Sequence, residues 1–85
     1  MQWSDEATEI LAELLRHLPT SVRDAVEEKT GPRAEAIAEE MGEEEVAMET
    51  AVRALVESTP ERMKSKLREV LTYHGLDMDD FEVDP

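Results

Sequence analysis

What most constrains this chain is the spacing of its apolar residues. Ala7, Ile10, Leu11, Leu14, Leu15 and Leu18 fall at i, i+3, i+4, i+7, i+8 and i+11, which is one continuous stripe down a helix. Ser4 is the expected N-cap, Asp5, Glu6 and Glu9 sit at the positive end of the helix dipole, Arg16 and His17 at the negative end, and Pro19 closes the element. Beyond Pro19, Ser21 and Asp24 have the spacing of a capping box, and Val22, Ala25 and Val26 give a short apolar face. Thr30-Gly31-Pro32 interrupts that face, and Ala34, Ile37, Ala38 and Met41 restart it up to Gly42. Residues 21–41 fit either one helix kinked at Pro32 or two helices. Gly31 suits the end of one helix and Pro32 the start of the next, so a break is the expectation.

Met48, Ala51, Val52, Leu55 and Val56 form the next stripe, behind Glu43, Glu44 and Glu45. Ser58-Thr59-Pro60-Glu61 then combines a Ser-x-x-Glu box with a proline at the first helical position, and Met63, Leu67, Val70 and Leu71 carry the last helix to Gly75. Met41, Met48 and Met63 read as core filler. No segment alternates with period two for long enough to be a strand. The expected fold is therefore all-α, a compact bundle of four to five short helices. Their narrow, alanine-rich stripes call for close packing at sizeable crossing angles. A single domain spans 3–75, and residues 76–85 form a loose acidic tail from which Phe81 and Val83 can tuck back. Shifting the chain by 41 residues aligns Leu14 with Leu55, Pro19 with Pro60 and Val26 with Leu67, a weak echo of two helix–proline–helix hairpins.

Charge narrows the function classes. Nine Lys and Arg against 22 Asp and Glu leave a net charge of −13. Residues 1–60 hold −10, residues 61–75 hold +2, and the last ten hold −5. A nucleic-acid partner is disfavoured, because phosphate binding depends on cations displacing counterions. The basic strip of Arg62, Lys64, Lys66 and Arg68 has no interleaved aromatics. The absence of cysteine excludes disulfides, thiolate metal sites and cysteine nucleophiles. No apolar run is long enough for a membrane span or secretory signal, so a cytoplasmic location is expected. Glycine-rich phosphate loops and nucleophile elbows are missing, and the Glu39-Glu40 and Glu43–Glu45 runs read as solvated faces. Asp77, Asp79 and Asp80 lack the glycine and ligand pattern of a calcium loop. His17 and His74 each end a helix, where a histidine ordinarily complements the dipole at the surface.

The order Trp3-Ser4, Ala7, leucine stripe, Leu18-Pro19, Val22-Arg23, Val26, Glu35-x-x-Ala38, Gly42 resembles a known small domain. It is similar to the helical domain that ends the B-type polypeptide of light-independent protochlorophyllide reductase and that occurs in short free-standing relatives. The resemblance covers residues 3–56; residues 57–75 add a further helix. The chain differs in having Lys29 to Pro32 as a four-residue insertion into one long helix, Ala47 at a capping threonine, and Ser21 at an aromatic position. That parent enzyme is nitrogenase-like and reduces a ring double bond with iron–sulfur clusters held in a large core that is not present here. The resemblance therefore implies a non-catalytic interaction module without cofactor or metal, accessory to a larger protein such as a nitrogenase-like reductase. Its expected contact residues are Trp3, Arg23, Arg62, Lys64, Lys66 and Arg68. Trp3, Ala7, Pro19, Val22, Arg23, Glu35, Ala38 and Gly42 are its structural motif. Two other readings stay open: a tetrapyrrole or metal carrier using His17 and His74, and an acidic mimic that occupies a basic groove.

Overall fold

The computed structural model describes residues 1–81. Four helices carry the fold: α1 (Asp5–Arg16), α2 (Thr20–Glu40), α3 (Met48–Ser58) and α4 (Lys64–Tyr73). Two 3-10 turns, Glu61–Met63 and Met78–Asp80, precede and follow α4. The all-α class is as expected. One feature was not: β1 (Gln2–Trp3) and β2 (Glu45–Val46) pair in parallel, with Trp3 opposite Val46. Two residues per strand are too few to show a period of two, so no sequence pattern announced the pairing.

α1 begins as its residues dictate. The Ser4 hydroxyl accepts a hydrogen bond from the Ala7 N–H at 3.0 Å, satisfying one donor that the first turn leaves without a partner. Ser4→Ala is expected to lower unfolding free energy by about 1 kcal/mol, read from the urea midpoint.

α2 corrects the expected break. It runs unbroken from Thr20 to Glu40 with Pro32 inside it. Its buried residues are Val22, Val26, Thr30, Ala34, Ile37 and Ala38, a ladder in steps of four that passes straight through the Gly31-Pro32 interruption. Thr30 is the rung that reading by hydrophobicity misses. It is fully buried, and its hydroxyl donates to the Val26 carbonyl at 2.7 Å, so its polar atom is satisfied within the helix. Pro32 is exposed, leaving water to serve the carbonyl its ring cannot bond. Four residues make about 1.1 turns, so the step from Val26 to Thr30 advances the buried face by only about 40°. Each four-residue step adds the same rotation, and the ladder turns through about 160° between Val22 and Ala38. Ala25, expected on the apolar face, is exposed.

That rotation joins two cores. Val22 and Val26 face a cluster with Leu14, Leu18, Val52, Leu55, Leu67, Leu71, Met78 and Phe81. Ala34, Ile37 and Ala38 face a second, alanine-rich cluster with Ala7, Val46, Ala51 and Ala54, covered by Trp3. α3 packs on both α1 and α2 and contributes to both clusters, and Thr50, Ala51, Val52, Ala54, Leu55 and Val56 are all buried. A helix buried around most of its circumference is the centre of the bundle. The exposed edge of the α2–α3 pair is tied by Arg33, whose Nε donates to Glu57 Oε2 at 2.8 Å. The hydrogen bond and charge of Glu57 hold the Arg33 guanidinium yet more firmly protonated than usual.

The helix ends show where local signals were displaced. α2 starts at Thr20 with Pro19 before it and no side-chain cap, so Ser21 and Asp24 form no capping box. The Pro19 carbonyl accepts from Val22 and Arg23 N–H instead. α3 continues through Ser58, and Pro60 precedes the 3-10 turn, which delays α4 to Lys64. Pro19 and Pro60 nevertheless share one backbone conformation, φ −58° with ψ 145° and 147°. Gly42 (φ +72°) and Gly75 (φ +78°) end α2 and α4 in the left-handed region. In each case the next residue reaches back: Glu43 N–H to Ala38 O and Leu76 N–H to Leu71 O, both at 2.8 Å. Met48 and Met63 pack against the core as expected, but Met41 is 60% exposed, because it caps α2 beyond the last buried rung. Met78 and Phe81 are buried in the first cluster, so the core continues past residue 75 into the segment expected to be loose. Val83 lies outside the described residues.

Candidate functional site

Trp3 is positioned by the β pairing. Ser4 N–H donates to the Val46 carbonyl at 3.0 Å, and the half-buried indole lies over the alanine cluster with Nε1 3.5 Å from Glu35 Oε2. One edge of the indole opens on a groove of about 390 Å³ between α1 and α2. Thr8, Leu11, Ala12 and Leu15 line it from α1, and Glu27 and Gly31 from α2. A side chain at Gly31 would meet nothing within 4 Å, so the space there is open. The remaining motif residues are structural: Ala7, Val22 and Ala38 are buried, Pro19 precedes α2, and Gly42 terminates it.

Arg23 is committed to the fold. Its guanidinium nitrogen Nη2 donates to the carbonyls of Arg16 at 3.2 Å and Leu18 at 3.0 Å, where α1 ends. A cation there closes carbonyls without helical partners and complements the dipole. The basic strip is not one face. Lys64 and Arg68 are four apart and share a side of α4, while Lys66, two residues on, projects about 200° away. Lys64 pairs with Glu61 at 3.4 Å and Arg68 with Asp79 at 3.3 Å, so half the strip is neutralised locally. Arg62 lies in the preceding 3-10 turn and is exposed. Asp77, from the acidic tail, caps the second 3-10 turn by accepting from Asp79 N–H at 2.9 Å.

The structure brings together two residues that the sequence separates widely. His17 caps the C-terminus of α1 and His74 that of α4, and their ring centroids are 6.0 Å apart. Glu13 joins them: one ligand atom from each of Glu13, His17 and His74 lies within 4.8 Å of the others. Glu13 was missed in the sequence. The signal was present, since Glu13 and His17 are four apart and share a helix face. Among the described residues His74 Nε2 is buried without a hydrogen-bond partner, and Tyr73 packs edge-on against the same ring at 5.3 Å.

A family model described as a protein of unknown function (DUF2621) matches residues 1–83. The chain belongs to the DUF2621 family. No curated protein and no solved structure matches it. The DUF2621 span takes in α4 and the segment after it, so the last third belongs to the same family unit as the first two. No helix of the described residues is long and apolar enough to cross a membrane.

Proposed function

We propose that this chain is a small, non-catalytic, cytoplasmic interaction module that binds a basic amphipathic helix of a larger protein in the Trp3 groove. The observation that carries this reading is the groove itself. An open groove lined by Leu11, Ala12 and Leu15, with Trp3 and Glu27, lies on a chain of net charge −13. An apolar groove on an acidic surface is complementary to a helix with one apolar face and flanking cations. Of the six contact residues expected from the sequence, Trp3 fits this surface, whereas Arg23 is occupied in holding α1 to α2. The reductase resemblance of residues 3–56 supports a nitrogenase-like redox enzyme as the larger protein.

Trp3 is the sole tryptophan, so its emission reports occupancy of the groove. Titration with an amphipathic Lys–Leu peptide is expected to shift that emission, with affinity falling at least about tenfold from low to moderate salt. A Glu–Leu peptide of the same pattern is expected to leave it unchanged. Leu11→Glu should remove binding while leaving the far-UV helical signal in place, because Leu11 is only partly buried and the variant loses stability without losing the fold. An unchanged Trp3 spectrum with the cationic peptide, or equal binding by the Leu11→Glu variant, overturns the reading.

A further inference from the structure

We infer that Glu13, His17 and His74 form a binding site for a divalent first-row transition metal, with Zn²⁺ the best-matched ion. Two imidazoles and one carboxylate are a donor set suited to such ions, and three protein ligands leave a fourth position for water or a second ligand. The donor atoms already lie within 4.8 Å of one another. Metal–ligand bonds of about 2.0–2.2 Å put tetrahedral donors about 3.3–3.6 Å apart, so the donor atoms need approach one another by at most about 1.5 Å.

Three further observations favour a cation at this place. The C-termini of α1 and α4 converge on it, each presenting the negative end of a helix dipole. Among the described residues His74 Nε2 is buried and unpartnered, a state that costs free energy until a ligand or donor meets it. Among the described residues Glu13 pairs with Arg16 alone, at 3.0 Å, and the two side chains are 46% and 71% exposed, so releasing Glu13 to a metal costs little. Arg23 already serves the last carbonyls of α1, and Lys66 lines the cleft beside His17; Glu69 in the same cleft offsets that charge.

A metal held here would clip α4 to α1. Calorimetric titration of Zn²⁺ into the untagged chain, with excess Mg²⁺ to occupy carboxylates, is expected to show one equivalent bound. At a hundredfold excess over Kd, Tm should rise by about 15 °C. The side-chain ¹⁵N resonances of His17 and His74 should both shift, and Co²⁺ should give the intense visible absorption of a tetrahedral site. His17→Gln and Glu13→Gln, both at the surface end of the cluster, should each weaken Zn²⁺ binding at least about tenfold. They serve as the decisive variants if His74→Gln fails to fold. Zinc binding that Mg²⁺ abolishes, that His17→Gln leaves unchanged, or that moves neither imidazole overturns the site.

Discussion

Truncating Leu55 to alanine is expected to cost about 3–5 kcal/mol of unfolding free energy, seen as a fall in urea midpoint at constant slope. Leu55 is fully buried in the central helix, among Leu14, Val26, Val52, Leu67 and Leu71. The neighbouring face of α3 is held by Ala51 and Ala54, both fully buried and already short, so the helix cannot slide inward to fill the void. The cost then includes the cavity as well as the lost transfer free energy. Against a total stability of about 4–13 kcal/mol for a chain of this length, one such truncation removes a large share of the native margin. Leu11→Ala, on a half-buried position, should cost well under half as much, and comparison of the two midpoints checks where the core lies. A loss below about 1.5 kcal/mol for Leu55→Ala would mean that α3 is not the rigid centre of the bundle.

Pro32→Ala is expected to act in the opposite direction, raising stability by about 1–3 kcal/mol. Within an unbroken α2, Pro32 removes the hydrogen bond to the Glu28 carbonyl and crowds the preceding turn. Alanine restores the bond in an exposed position where it disturbs no packing. Part of the gain, about 0.4–1 kcal/mol, is returned because alanine leaves the unfolded chain more freedom. The sign of the change is diagnostic. If 21–41 were two helices with Pro32 opening the second, proline would be the favoured residue and its replacement would be neutral or destabilising. Guanidinium unfolding of the variant, with far-UV ellipticity followed in parallel, distinguishes the two.

α1 was legible throughout because every local signal agreed with the tertiary solution: Ser4 caps it, its stripe is buried at Ala7, Leu14 and Leu15, and its ends match the dipole. The α3 stripe and the glycine stops at Gly42 and Gly75 were legible for the same reason. What escaped depended on long-range packing. Thr30 counts as polar in any hydrophobic tally, yet its hydroxyl turns back on its own helix and leaves its methyl for the core. With that rung removed, Val26 and Ala34 look like two patterns rather than one. The strands that hold Trp3 exist only because distant residues pair, and Ser58 has no capping role because it is the last residue of α3. The basic strip misled through its spacing, since steps of two gather on one face in a strand and scatter around a helix. Of the metal cluster, the two histidines were visible one at a time; their approach, and the place of Glu13 between them, required the docking of α4 beside α1.

The slow rotation of the α2 ladder has a consequence for how the molecule comes apart. One rod is bolted to two cores, one of leucine and valine and the other of alanine, and neither half of α2 can leave its seat without dragging the other. The two clusters are therefore expected to melt together rather than in separate transitions. A helix with a proline near its midpoint is thus expected to give residues 1–81 a single cooperative unfolding transition, which coincident near- and far-UV melts would check.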